Sequence, residues 1–220
     1  SDSQTETCWT VYNNAPDDNT WNLNQTMQPM FGNQMAALFT GTNGANNDWL
    51  ISPTLTVNPG QRLRFYYRTY SEFFEEDLKV IVSTNGVAIP DFTSIIYENN
   101  IVIPTDATGI VQDSNTITLT SVAGVRIGDR VDLAWQIPFG ATVTAINGLT
   151  VTMSQGAYST LAGPLNITFV HEVISSSTVR EKVIDLTGIT SDTNINIAFH
   201  TPFFAPNPWN YRGQYTFIDN

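Results

Sequence analysis

The side chains able to do acid–base chemistry are few and scattered. There are two histidines, His171 and His200, one cysteine, Cys8, and one run of three acids, Glu75-Glu76-Asp77. A nucleophile needs a base within hydrogen-bond reach and a third group to orient that base, and neither histidine stands in a nucleophile motif. His200 ends the apolar run Ile195-Asn196-Ile197-Ala198-Phe199 just before Thr201-Pro202. It reads as a strand-end side chain hydrogen-bonded to a neighbouring loop. His171 reads as a surface residue at the exit of an internal segment. Paired carboxylates can cleave glycosides, but three consecutive acids at a strand entry point to alternating faces. Residues 75–77 therefore read as a solvated charge run. Cys8 has no partner for an internal disulfide and no Cys/His spacing suits zinc, so it reads as a small buried hydrophobe. No catalytic role is expected.

Two loops offer binding chemistry instead. Asn13-Asn14-Ala15-Pro16-Asp17-Asp18-Asn19 gathers side-chain oxygens on one short segment, and calcium takes six to eight oxygen ligands. The same residues also make ordinary Asx turns, bonding their own backbone. The second loop, Phe203 to Arg212, interleaves Asn207, Trp209, Asn210, Tyr211 and Arg212 with Pro206 and Pro208, and Pro202 stands just before it. Aromatic faces beside amide and guanidinium donors suit a stacked sugar, and the prolines lower the entropy lost on binding. Alternatively Phe203, Phe204 and Trp209 pack as a lid over the end of the fold. Phe73-Phe74 beside Glu72 is a second aromatic tip with the same two readings, whereas Trp21 and Trp135 read as core or interface packing.

These loops must be carried by strands. Runs such as Leu63-Arg64-Phe65-Tyr66-Tyr67-Arg68 and Leu78-Lys79-Val80-Ile81-Val82-Ser83 are short, β-branched or aromatic, and bounded by Gly, Pro, Asn or Asp. Such spacing predicts an all-β sandwich or barrel. The chain of 220 residues carries 9 Lys+Arg against 20 Asp+Glu, a net charge of −11, and only 13% of its residues are charged. That balance excludes nucleic acid, whose phosphates call for a basic surface. A polar but weakly charged surface points to an extracellular setting: secreted, cell-surface or virion. No apolar run is long enough to span a membrane. Starting at Ser1 without Met and ending at Asn220 in an apparent strand, the sequence is expected to be a piece of a longer polypeptide.

The strand pattern breaks in mid-chain. Residues 103–172 have a different texture, rich in Thr, Gly and Val, and the host pattern resumes afterwards. Insertions are tolerated at exposed loop tips, which predicts an outer sandwich from residues 1–102 and 173–220 with a small β domain inserted between. Within the insert, Val143-Thr144-Ala145-Ile146, Asn147-Gly148 and Leu149-Thr150-Val151-Thr152-Met153 read as a tight hairpin, Asn-Gly supplying the positive φ angles of a type I′ turn.

In order along the outer halves stand Cys8-Trp9-Thr10-Val11, Asp48-Trp49-Leu50-Ile51-Ser52-Pro53, Leu63-Arg64-Phe65-Tyr66-Tyr67, Asp77-Leu78-Lys79-Val80-Ile81-Val82-Ser83, Val183-Ile184-Asp185-Leu186, Ile197-Ala198-Phe199-His200 and Phe217-Ile218-Asp219. This series resembles the cleaved-adhesin, or choice-of-anchor, jelly rolls of secreted bacterial proteins, related in architecture to MAM-type sandwiches. The resemblance implies a jelly-roll β-sandwich and calcium held by Asn13, Asp17, Asp18 and Asp219, with Asp48 a neighbour. The stretch from Val122 to Ser154 is similar to a small β unit of tailed-phage fibre and neck proteins. Together these imply a non-enzymatic adhesion or surface-recognition module for a glycan or cell-surface protein. The alternatives are a virion fibre or decoration segment touching only neighbouring subunits, and an accessory domain of a secreted hydrolase.

Overall fold

The computed structural model describes residues 8–14, 19–26, 29–30, 32–39, 46–73, 75–187, 193–202 and 215–219. Eight strands come first: β1 (Thr10–Asn13), β2 (Asn22–Gln25), β3 (Met35–Phe39), β4 (Asp48–Ile51), β5 (Leu55–Val57), β6 (Arg62–Thr69), β7 (Lys79–Ser83) and β8 (Ser94–Glu98). Then follow β9 (Asn100–Pro104), β10 (Thr116–Thr118), β11 (Arg130–Asp132), β12 (Val143–Asn147), β13 (Thr150–Met153) and β14 (Asn166–Val170). The last three are β15 (Arg180–Asp185), β16 (Thr193–Thr201) and β17 (Tyr215–Asp219). The described chain forms two compact units, one holding residues up to Glu98 and from Ile174 on, the other Asn99–Val173.

The first unit is a jelly-roll β-sandwich of two antiparallel sheets. One runs β1-β4-β16-β7-β8, with β5 continuing the β4 edge of β16; the other runs β15-β6-β17-β3-β2. Alternation along each strand sends Leu50, Val80, Val82, Ile197 and Phe199 from one sheet against Leu38, Phe65, Tyr67 and Ile218 from the other. Each large side chain so buried contributes about 1.5–3 kcal/mol. The first sheet is also covered on its opposite face, where Trp49, Ile51, Ile81 and Ala198 pack under Phe92. Burial on both faces explains why β16 reads as an almost unbroken apolar run.

The Ser52-Pro53 step has a specific task. Pro53 cannot donate to the ladder, and β16 passes there from β4 to β5. The Ser52 hydroxyl accepts the Ile197 amide at 2.9 Å, and the buried Asn196 amide donates to the Ser52 carbonyl at 3.0 Å. The break is therefore spliced by side chains.

The second unit has its own core, built on Ile110, Ile117, Leu119, Val151, Met153, Ile167 and Phe169. It carries two three-stranded sheets, β10-β13-β12 and β11-β14-β9. Its first strand begins at Asn100, ahead of the Ile103 expected from texture. The β12–β13 hairpin forms, but with a different turn. Gly148 and Leu149 are its two loop residues, Asn147 pairs with Thr150, and positive φ falls on Gly148 (59°) and on neither neighbour. Positive φ at the first loop position alone is the type II′ arrangement, not type I′.

Candidate functional site

Three strands bring polar side chains into one row at the end of the sandwich. Asn13 on β1 is the cross-strand partner of Asp48 on β4, and Thr201 on β16 is its partner on the other side. By alternation all three point to the face that carries Leu50 and Phe199. Asp48 is fully buried there, an environment in which a carboxylate stays charged only with strong compensation. Two neutral oxygens accompany it. Asn46 Oδ1 and Thr201 Oγ1 are buried without a hydrogen-bond partner among the described residues. Orphaned oxygens beside a buried carboxylate fit a hard cation, since the donor set is oxygen and contains no sulfur. Asn13 turns its Nδ2 onto the Asn19 carbonyl at 2.7 Å, closing the base of the 13–19 loop. Among the described residues no three His, Cys, Asp or Glu side chains converge, so this part of the site rests on one carboxylate and neutral oxygens. Asp17 and Asp18, expected on the same loop, lie outside the described residues.

The outer face of the same strands holds His200. Its ring stacks on Trp49 at 4.0 Å between centroids, 18° from parallel. Asn47 Oδ1 accepts from Trp49 Nε1 at 3.1 Å and lies 2.9 Å from His200 Nε2. An indole nitrogen only donates, so the atom it meets must be the amide oxygen, and His200 Nε2 must carry the proton. His200 Nδ1 is buried and without a hydrogen-bond partner among the described residues. Burial, with Lys79 on the adjacent strand adding to it, pushes the ring pKa down to about 3. The ring is thus neutral at physiological pH. It is hydrogen-bonded to the loop beside it, as the sequence predicts.

Several expectations change. His171 is not a surface residue: its side chain is buried, with Nδ1 2.8 Å from Asp129 Oδ1. Residues 75–77 are not a solvated run, because Glu76 is buried where its amide meets the Ile174 carbonyl at 2.8 Å. Cys8 is exposed rather than buried. Trp21 is core, as expected, but Trp135 is 53% exposed. Asp219 shares the face of Phe217, away from the inner core, and pairs with Tyr66 in the other sheet, so it stands apart from Asp48. Phe73 projects into solvent. Phe74, Asn207, Trp209, Asn210, Tyr211 and Arg212 lie outside the described residues.

Exposed aromatics on described residues occur in both units, Tyr12, Phe39, Tyr70 and Phe73 in the first and Trp135, Phe139 and Tyr158 in the second. Trp135, Phe139 and Tyr158 are 53%, 71% and 65% exposed. A signal was present in Pro138-Phe139-Gly140, because a residue between proline and glycine sits on a turn and faces outward.

Two antiparallel sheets packed face to face, with polar side chains gathered at one end, define a jelly-roll β-sandwich domain. The profile of the Cleaved Adhesin Domain family matches residues 1–142, and the chain belongs to that family. Among solved structures it is similar to the K1 cleaved adhesin domain of Lys-gingipain from Porphyromonas gingivalis. Identity there is 14%, over 96% of this chain and 86% of that one, with a TM-score of 0.47. The K2 domain of Lys-gingipain gives 17% identity, 99% and 90% coverage and a TM-score of 0.48. The K3 domain, from the same organism as K1, gives 15%, 96% and 88%, and 0.46. No curated protein matches the chain.

Proposed function

We propose that this chain is a non-catalytic adhesion module of a secreted or surface-exposed protein, that it holds calcium at the polar end of its sandwich, and that it recognises a glycan or a cell-surface protein. Membership in the Cleaved Adhesin Domain family carries the reading. Calcium is supported by the orphaned Asn46 and Thr201 oxygens around the buried Asp48. Asp48, Asn46, Thr201 and Asn13 are the described residues that would hold it. The ion would supply the positive charge that a buried carboxylate needs, and the residues themselves fasten β1, β4 and β16 at the loop end.

Fluorescently labelled protein should bind a panel of bacterial and animal cells saturably, and a chain that leaves every cell type unbound would overturn the adhesion reading. Calcium is tested separately by melting. Free calcium at 100 times its Kd stabilises the native state by about 2.7 kcal/mol, so chelator should lower Tm and Asp48→Asn should abolish the difference. A Tm indifferent to both chelator and added calcium would remove the ion from the proposal.

A further inference from the structure

We infer that Asn147 is a site of spontaneous modification, where the side-chain amide is lost to give aspartate or isoaspartate at the tip of the β12–β13 hairpin. Three Asn-Gly pairs occur in the sequence, Asn43-Gly44, Asn85-Gly86 and Asn147-Gly148, and the first lies outside the described residues. A glycine after asparagine has no side chain to shield its amide nitrogen, which can therefore attack the asparagine Cγ. The structure separates the two described pairs. Asn147 and Gly148 are both exposed, and among the described residues neither the Asn147 side chain nor the Gly148 amide has a hydrogen-bond partner. The space beside Gly148 is open where a Cβ would stand. No charged residue stands on β10, β12 or β13. The tie that holds the turn, from the Leu119 amide to the Leu149 carbonyl at 2.9 Å, falls past the reacting peptide. Only the terminal Asn147–Thr150 pair must open for Asn147 to turn its Cγ toward Gly148, and the end of a hairpin is where local opening costs least.

Asn85-Gly86 has the same sequence and the opposite surroundings. Ser83 Oγ accepts the Asn85 amide at 3.1 Å and the Gly86 amide at 3.2 Å, so the nitrogen that would attack is already engaged. A Cβ on Gly86 would stand 2.8 Å from Asp91 Oδ2, and a carboxylate so close opposes the amide anion that must form. At Asn147 the step balances with water alone. The Gly148 nitrogen gives up its proton to hydroxide and bonds to Asn147 Cγ. The Cγ–Nδ2 bond breaks, and Nδ2 takes a proton and leaves as ammonia. Water then opens the cyclic imide at either carbonyl. Opening at Cγ gives aspartate; opening at the backbone carbonyl gives isoaspartate, whose main chain runs through the side chain and is one methylene longer. The longer link cannot keep Asn147 opposite Thr150, so this product loosens the hairpin that covers Val151 and Met153.

The test is incubation of the full chain at pH 8 and at pH 5, with samples digested over time and the peptides holding Asn85 and Asn147 followed by mass spectrometry. Conversion is read as the mass gain of an amide exchanged for a carboxylate, and isoaspartate by its labelling with an isoaspartyl methyltransferase. In the folded chain Asn147 should convert about fivefold faster than Asn85, the factor that one hydrogen bond is worth, and faster at pH 8 than at pH 5. In urea, where both pairs are exposed alike, the two should convert at similar rates. Gly148→Ala, whose methyl shields the attacking nitrogen, should slow conversion at Asn147 and leave Asn85 unchanged. An Asn147 that stays intact in the folded chain, an Asn85 that converts first, or the same preference for Asn147 in urea as in the folded chain would each overturn the inference.

Discussion

Acidification should destabilise the sandwich through His200, by an amount that follows from its surroundings. The ring is stacked on Trp49, holds its proton on Nε2 against Asn47, and is pushed down to a pKa of about 3 by burial and by Lys79. In the unfolded chain it titrates near its ordinary value, about 6.5. Between those two values the unfolded state binds a proton that the folded state refuses, so stability is complete above about pH 6.5 and falls as pH drops toward 3. At pH 5 the loss is about 2 kcal/mol relative to pH 8. Carboxylates also titrate at the acid end of this window, so the quantity to compare is wild type against His200→Gln. The variant can keep a donor toward Asn47 without acquiring charge. Denaturant unfolding, followed through NMR signals of β16 at pH 8 and pH 5, should show the variant losing about 2 kcal/mol less than wild type. The ring Cε1–H signal of wild type should stay flat down to pH 4. A ring midpoint near 6.5, or equal losses in the two proteins, would refute this account of the buried ring.

Glycine substitutions in the second unit should separate backbone strain from steric collision. Gly148 (φ 59°) has open space where a Cβ would stand, so Gly148→Ala should cost about 1–2 kcal/mol from strain alone. At Gly109 (φ 72°) a Cβ would run into the Leu161 carbonyl oxygen, and Gly109→Ala should cost clearly more in the same unfolding assay. Removal of the second unit should leave a folded sandwich. Glu98 pairs with Lys79 and Ile174 bridges Glu76, so the cut ends attach about three residues apart on one segment, roughly 10 Å. Replacing residues 99–173 with a Gly/Ser linker of about six residues should give a cooperative melt with dispersed NMR signals; a molten product would show that the sandwich needs the insert.

Legibility in the sequence tracked how local the deciding physics was. The Asp48-to-Pro53 station was readable because each residue has one role fixed by alternation: Leu50 inward, Trp49 and Ile51 outward, and Ser52-Pro53 where the ladder must be spliced. The β12–β13 hairpin was readable as a hairpin but not as a turn type. Centring the turn on Asn147-Gly148 would oppose Val151 to Thr144, whereas the observed register opposes it to Ile146. A bulge between Val143 and Ala145 then lets Val143 meet Met153. Apolar pairing outweighed the turn preference of the dipeptide. His171 was misread because its partner Asp129 lies 42 residues away on another segment, and Glu76 because the Ile174 backbone that covers it returns only after the whole second unit. Residue type alone reads Trp135 as core or interface packing, and its 53% exposure rules out the core. Only the anchoring of Ile137 and Ala141 on either side of Phe139 shows which way that segment faces.

The placement of β1 and β17 also defines how an adhesion module of this build would carry tension. β17 is hydrogen-bonded on both sides, between β3 and β6. Pulling along its axis loads both ladders together, in shear, the direction in which hydrogen bonds must fail as a group. Among the described residues β1 sits at a sheet margin and is bonded to β4 alone. A force drawing it sideways from that margin opens its bonds one after another, like a zipper. Under load the chain would therefore yield first at β1, and the row it tears open contains Asn13 and Asp48, so the polar end of the sandwich is also its mechanical latch.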